Sequence, residues 1–437
     1  MSQLLNGLPS DFNSPLKEEV KDGALPLPAS AVTWFVPGRI EVFGKHTDYA
    51  GGRSLLAAAT NGITFVARAN SEQVVRVASD AVKDRVELPL QEQIDGYEGG
   101  HWAGYAAATV SRLVKNFGSQ VRGADITITS NLPLASGMSS SSAMVVGLAR
   151  CLLDISGIES SAAFRSQIDG PENFAAYLAC IENGMSFGEL AGHRGVGTFG
   201  GSEDHTSMLC AEADSLVQYS FCPVRREKIV PFPADYSFVV AVSGVLAEKT
   251  GAAREAYNQV SASAREILAE WNKQQGRDDL FLADAVASGT DAVEKIRSFL
   301  PEGSYKRNRF EQFLTESFEL VPAAADALSE GDLETFAKVA YLSQSWADQA
   351  LGNQVPQTRE LVSLARSLGA CGASAFGAGF GGSVWALVPT AQAVDFAASW
   401  RSAYVAAFPQ MSERAQMVIT RPGGRAQRLA LEYSADF

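Results

Sequence analysis

Four consecutive serines, Ser139 to Ser142, stand between a strand-like segment and an apolar helical one, and no other feature limits the possible folds as strongly. Upstream, Ile126 and Ile128 alternate with Thr127 and Thr129, the period-two pattern of a half-buried strand over Ala124 to Thr129. Downstream, Val145, Val146, Leu148, Leu152 and Leu153 recur at helical spacing over Ser142 to Ile155. The joining stretch, Leu132-Pro133-Leu134-Ala135-Ser136-Gly137-Met138-Ser139-Ser140-Ser141-Ser142-Ala143, consists mainly of small residues. Strand, small-residue loop and helix in that order bring backbone N–H groups and serine hydroxyls to a helix N-terminus, where partial positive charge gathers. Two readings stay open on these residues alone: an anion cradle, and a helix cap that holds no ligand. One cap needs one serine, not four. The spacing is not Gly-x-Ser-x-Gly, so the nucleophile elbow of an α/β-hydrolase is disfavoured.

Two further segments carry chemistry-bearing residues. In Pro37-Gly38-Arg39-Ile40-Glu41-Val42-Phe43-Gly44-Lys45-His46-Thr47-Asp48-Tyr49, polar and ionisable side chains crowd the end of a strand expected over Thr33 to Phe43. A phosphate-loop reading of its glycines fails, because the spacing is one residue too long, His46 replaces the Ser/Thr and no helix follows. A solvated hairpin remains open, and so do fixed hydrogen bonds from Arg39, His46 and Asp48 to a small hydroxylated ligand. The third segment, Gly372 to Ser383, formally matches Gly-x-Gly-x-x-Gly at Gly377, Gly379 and Gly382. A strand-like run, Val384-Trp385-Ala386-Leu387-Val388, follows where a dinucleotide site requires a helix, so a glycine-rich hairpin is expected instead.

Composition removes several function classes. Lys plus Arg total 36 and Asp plus Glu total 49, a net charge of 36 − 49 = −13 that opposes nucleic acid and anionic membranes as partners. The apolar runs fall short of a membrane span, and Met1 to Gly7 lacks the pattern of an export signal, so a cytoplasmic protein is expected. Five scattered cysteines and four histidines give neither a disulfide framework nor a zinc spacing.

Along the 437 residues, the first 30 or so read as a loosely attached lead-in. Strands are expected over Ile63 to Ala69, Val74 to Ser79 and Tyr236 to Val242. Helices are expected over Trp102 to Phe117, Arg254 to Trp271, Leu280 to Phe299, Arg309 to Phe318 and Leu333 to Leu351. A pause at Cys222-Pro223-Val224-Arg225-Arg226 sets the boundaries at 1–30, 31–223 and 224–437.

In this order the three segments resemble the motifs of the GHMP kinase superfamily, and of galactokinases most closely. The Pro37 to Tyr49 segment is similar to the galactokinase sugar signature, Pro133 to Ala143 to the ATP loop, and Gly377 to Gly382 to the third, glycine-rich motif. The resemblance implies an α+β fold of two domains, the first like the second domain of ribosomal protein S5 and the second a ferredoxin-like α/β domain. It also implies transfer of the ATP γ-phosphoryl group to a hydroxyl of a galactose-like monosaccharide, the anomeric one in galactokinases, by a chain expected to be a monomer. Matched residue by residue, Asp204 in Gly201-Ser202-Glu203-Asp204-His205 takes the place of the catalytic aspartate, with Arg39 beside it. Gly137, Ser139, Ser140, Ser141, Gly377 and Gly379 would hold ATP. Lys45, His46, Asp48 and Gly201 would hold the sugar, and Ser140, Ser141 and Glu182 would hold Mg2+, with Glu189 as the fallback carboxylate.

The match departs from the family where a sugar would be read. Glu41 stands where galactokinases usually have Asn, Lys45 where they have Glu, Gly251 where they have a sugar-contacting Tyr, and Phe376 where they have Thr. Lys45 then has two readings, a partner for Glu41 or a reader of an anionic substituent such as that of a uronic acid or sugar phosphate. A uronate or other polyol kinase and a catalytically silent sugar sensor are the alternatives to a galactose-like substrate. Tyr257 lies six positions beyond Gly251, too far along to stand for the missing Tyr.

Overall fold

The computed structural model describes residues 31–82, 84–97, 102–133, 136–245 and 251–430, without the side chains of 251–254. The lead-in expected over 1–30 and Glu248, Lys249 and Thr250 lie outside the described residues.

The alternating runs form strands β1 (Val32–Phe43), β2 (Arg53–Ala69), β3 (Val74–Ser79), β4 (Asp84–Pro89), β5 (Ala124–Ser130), β6 (Ser215–Ser220), β7 (Arg225–Pro231), β8 (Tyr236–Val242), β9 (Ala373–Phe376), β10 (Ser383–Pro389), β11 (Gln416–Thr420) and β12 (Gln427–Leu429). The first sheet runs β12-β1-β2-β5-β3-β4, with β6 pairing to β2 and β7 to β6; the second runs β11-β8-β10-β9. Apart from the single turn Ala162–Arg165, the α-helices are α1 (Trp102–Phe117), α2 (Ser140–Ser156), α3 (Pro171–Asn183), α4 (Glu203–Cys210), α5 (Gly251–Gln275), α6 (Leu282–Ala287), α7 (Ala292–Phe299), α8 (Tyr305–Leu314), α9 (Val321–Glu330), α10 (Leu333–Trp346), α11 (Pro356–Ser367) and α12 (Ala393–Ala407). Both the order of elements and the mixture of sheets and helices agree with the two-domain expectation.

Period two explains how the sheets share a core. Along β8 and β10, Phe238, Val240, Trp385 and Leu387 join the core of the first sheet. Their neighbours Val239, Ala241, Val384, Ala386 and Val388 pack with Leu361 of α11 and Trp400 and Tyr404 of α12. A sheet covered on both faces needs near-continuous apolar strands, which is how these read. Phe43 at the end of β1 meets Phe336 and Trp385 at centroid distances of 5.5 and 6.1 Å, so the sugar-signature strand is packed directly onto the second sheet.

Two expectations differ in detail. The single helix read over Leu280 to Phe299 is two, α6 and α7, because Ser288-Gly289-Thr290 interrupts it and glycine weakens helix interiors. The pause at Cys222-Pro223, read as a domain boundary, is the turn between β6 and β7, with Ser220 opposite Arg225. β7 therefore belongs to the first sheet, and the chain passes to the second between Pro231 and Tyr236. Among the described residues no helix is long and apolar enough to cross a membrane.

α2 lies on β1 and β2 through a close contact at Gly147, where an added Cβ would fall 2.1 Å from the buried ring of Phe65. Gly147→Ala gains about 1 kcal/mol of helix propensity against roughly 1–3 kcal/mol of overpacking. A net fall in melting temperature is expected, and a rise in a thermal melt would contradict this packing.

Candidate active site

β1 places Arg39 and Glu41 on one face, two residues apart, and both are almost fully buried. The chain then turns through Gly44 and His46, both at positive φ, to present His46 and Asp48. The turn is held from the second half of the chain by three fully buried side chains that follow α8 and its π-helical continuation, Thr315–Leu320. Arg309 Nη2 donates to His46 O (2.5 Å), Gln312 Nε2 donates to Lys45 O (3.0 Å), and Glu316 Oε1 accepts from Gly44 N (2.9 Å). Positions 309, 312 and 316 share one helical face, so a single element fixes the turn.

Opposite this turn, α4 carries Asp204 in its first turn. Arg39 Nε donates to Asp204 Oδ1 at 2.6 Å, and Arg39 Nη1 donates to Gly137 O at 2.5 Å, tying the serine loop to the same guanidinium. Ser139, at φ 59, caps no backbone N–H of α2; its hydroxyl donates to Asp204 Oδ2 at 2.5 Å. Of the two readings of the serine run, the helix-cap one therefore fails at the N-cap position. Ser142 Oγ donates to Glu182 Oε1 at 2.6 Å and lies 3.3 Å from Asp204 Oδ2, while His205 Nε2 is 3.3 Å from Glu182.

Burial alone would lower the basicity of Arg39, but the carboxylates of Asp204, Glu203 and Glu41 more than reverse this and hold it protonated. Behind it, Glu41 and Glu203 form a buried carboxyl pair in hydrogen-bond contact. Burial pushes Glu41 up to about 7, and burial plus the charges of Glu41 and Asp48 raise Glu203 well above the carboxylate range. Two acids this close cannot both ionise cheaply, so the pair holds a proton between them.

One cavity is lined by Arg39, Glu41, His46, Asp48, Glu182, Gly201, Glu203, Asp204, Tyr257 and Gly377, with Ser142 and His205. Of the residues expected from sequence, Arg39, His46, Asp48, Glu182, Gly201, Asp204 and Gly377 thus meet there, with Gly137 and Ser139 alongside. Gly201 must be glycine, since a Cβ would lie 2.4 Å from Asp48 Oδ2. Four expectations are displaced. Lys45 points away from the cavity: it is 1% exposed, and its Nζ donates to Ser343, which in turn donates to Glu316. Ser142, rather than Ser140 or Ser141, meets Glu182. Glu189, the fallback carboxylate, is exposed and accepts from Gln167. Gly379 packs against Asn353 behind the hairpin.

Sequence reasoning set Tyr257 aside, yet its ring lies 5.4 Å from that of His46 and its hydroxyl packs over Gly200. It also did not single out Glu203, which stands directly before Asp204. Lys45 makes no hydrogen bond to Glu41 Oε1 and donates to Ser343 instead, so its charge favours the ionised form of Glu41 only from a distance.

Three family models match in order: the galactokinase galactose-binding signature over 27–69, the GHMP kinases N terminal domain over 104–168 and the GHMP kinases C terminal over 324–406. The chain is 25% identical to a galactokinase of Enterococcus faecalis over 82% of this chain and 85% of that one. It is 28% identical to a galactokinase of Chloroflexus aurantiacus over 84% and 86%. In fold it is similar to the Lactococcus lactis galactokinase solved with galactose, with a TM-score of 0.71 at 22% identity over 95% of this chain and 98% of that one.

The carboxyl pair gives a pH signature. Between the ordinary value of 4.5 and about 7 the folded chain keeps a proton on Glu41 that the unfolded chain has released, so stability falls as pH rises through that window. In the melting-temperature profile, Glu41→Gln is expected to reduce this slope and leave the part due to Glu203, and an unchanged slope in the variant would contradict the raised Glu41 carboxyl.

Proposed function

We propose, from the premise that this chain is a galactokinase-like member of the GHMP kinase superfamily, that it transfers the γ-phosphoryl group of ATP to the anomeric hydroxyl of a galactose-like hexose. The observation that carries the reading is the Arg39–Asp204 pair, 2.6 Å apart, set between the serine loop and the His46–Asp48 turn. An acceptor hydroxyl placed there meets a carboxylate held ionised by a guanidinium, and a phosphate placed on the serine loop meets a helix N-terminus.

In the transfer, the sugar oxygen bonds to the γ-phosphorus as the bond to the β–γ bridging oxygen breaks. ADP leaves with that electron pair, and the hydroxyl proton passes to Asp204. Arg39 keeps Asp204 anionic beforehand and offsets charge on the transferring group. Ser139 exchanges its contact with Asp204 for a phosphate oxygen, while Gly137, Ser140 and Ser141 present N–H and hydroxyl donors from the loop and the first turn of α2. His46, Asp48, Gly201 and Tyr257 bind the sugar hydroxyls. Gly377 gives the hairpin close approach to Arg39, since a Cβ there would lie 3.3 Å from Nη2.

Magnesium suits the donors present. Ser142 and Glu182 offer hard oxygens beside Asp204, and among the described residues there is no cluster of three His, Cys, Asp or Glu side chains arranged for a metal. A small cation held by one or two carboxylates and the nucleotide phosphates matches that sparse set, and when bound it neutralises charge on the β- and γ-phosphates.

Asp204→Asn is expected to lower kcat by about 10²–10⁴-fold, the range for loss of a positioned base, with ATP-analogue affinity nearly unchanged by calorimetry. Turnover at the wild-type rate would remove Asp204 from the chemistry.

A further inference from the structure

Among the described residues the cavity is lined by five carboxyl groups, Glu41, Asp48, Glu182, Glu203 and Asp204, against one guanidinium, Arg39. Four of these acids have work or partners already. Asp204 pairs with Arg39, and Glu182 accepts from Ser142. Asp48 Oδ1 and Oδ2 accept from the backbone N–H groups of Tyr49 and Glu203. Glu203 Oε2 accepts from Ser54 Oγ at 2.7 Å. Glu41 differs: it is 3% exposed, it meets the other acid of its pair while the charges of Lys45 and Arg39 favour its ionised form, and among the described residues its Oε1 has no hydrogen-bond partner. A buried acceptor left without a donor costs stability unless a ligand supplies one.

The cation that sequence placed here, Lys45, is committed elsewhere, to Ser343 and through it to Glu316. An anionic sugar would therefore add its charge to an acid-rich wall whose one guanidinium among the described residues is already paired with Asp204. A positively charged sugar would find in Glu41 an acceptor of the opposite sign. Resting on the phosphotransferase reading above, we infer that the preferred acceptor is an amino sugar, a hexose bearing a protonated amine, and that Glu41, backed by Glu203, is the residue that selects it. The ammonium donates to Glu41 Oε1, and the hydroxyl that receives the phosphoryl group remains at Asp204.

The test compares kcat/KM of the full chain with ATP and Mg2+ at neutral pH on galactosamine, galactose, N-acetylgalactosamine and galacturonate. Galactosamine is expected to exceed galactose by about tenfold or more, the scale of one charge-assisted hydrogen bond. Its neutral N-acetyl derivative should lose that advantage, and galacturonate should be the poorest. In Glu41→Gln the ratio of galactosamine to galactose should collapse towards one. Should that variant fail to fold, the wild-type ratio decides alone. A wild-type preference for galactose or galacturonate, or an unchanged ratio in folded Glu41→Gln, overturns the inference while leaving the kinase reading intact. No turnover of any of the four sugars overturns both.

Discussion

The guanidinium of Arg39 is the point on which the site depends. It leaves β1 and reaches Asp204 at the start of α4 and Gly137 in the serine loop, and it lies 5.8 Å from the ring centre of Phe376 at the end of β9. Strand, loop, helix and hairpin come from four distant parts of the chain, and one side chain gives them a common reference. A planar group with several fixed donors can do this where a lysine cannot, because its donors satisfy two acceptors in set directions at once. The surrounding acids make the arrangement self-consistent: burial would weaken the charge, and Asp204, Glu203 and Glu41 restore it.

A second layer keeps the sugar-side turn in place. Arg309, Gln312 and Glu316 hold the backbone of Gly44, Lys45 and His46, so the positions of His46 and Asp48 are set by a helix of the other half of the molecule. Such indirect support is how a narrow geometry survives on a turn, which alone would be the more mobile kind of element. Lys45 belongs to this layer. Its ammonium is used inside the protein, and the charge of the cavity is consequently set by acids.

Much of this was legible in the sequence, and the parts that were not share a cause. Apolar and helical patterns located β3, β8 and α1 to the residue, because β3 and α1 bury one face against a core and β8 is covered on both. The motif residues Arg39, His46, Asp48, Asp204 and Gly377 line one cavity although they come from distant parts of the chain, because matched motifs carry a fold's long-range pairing with them. Lys45, Tyr257 and Glu203 were misread or passed over because their partners are remote: Lys45 meets Ser343, Tyr257 meets His46, and Glu203 meets Glu41. Counting along the chain from Gly251 could not place Tyr257, whose position depends on where α5 lies against the turn. Glu203 did leave a trace, since it adds a second acid directly before Asp204 while Glu41 stands where the family usually has Asn. Read together, the two acids form one buried pair.

The most direct check of the central claim is phosphorus NMR of the product formed from ATP, Mg2+ and an accepted hexose. The account predicts ADP together with a sugar phosphate whose phosphorus couples to the anomeric proton, formed only while Asp204 is intact. A phosphate ester on any other hydroxyl, or ADP with inorganic phosphate and no sugar ester, would contradict the placement of the acceptor between Arg39–Asp204 and the serine loop.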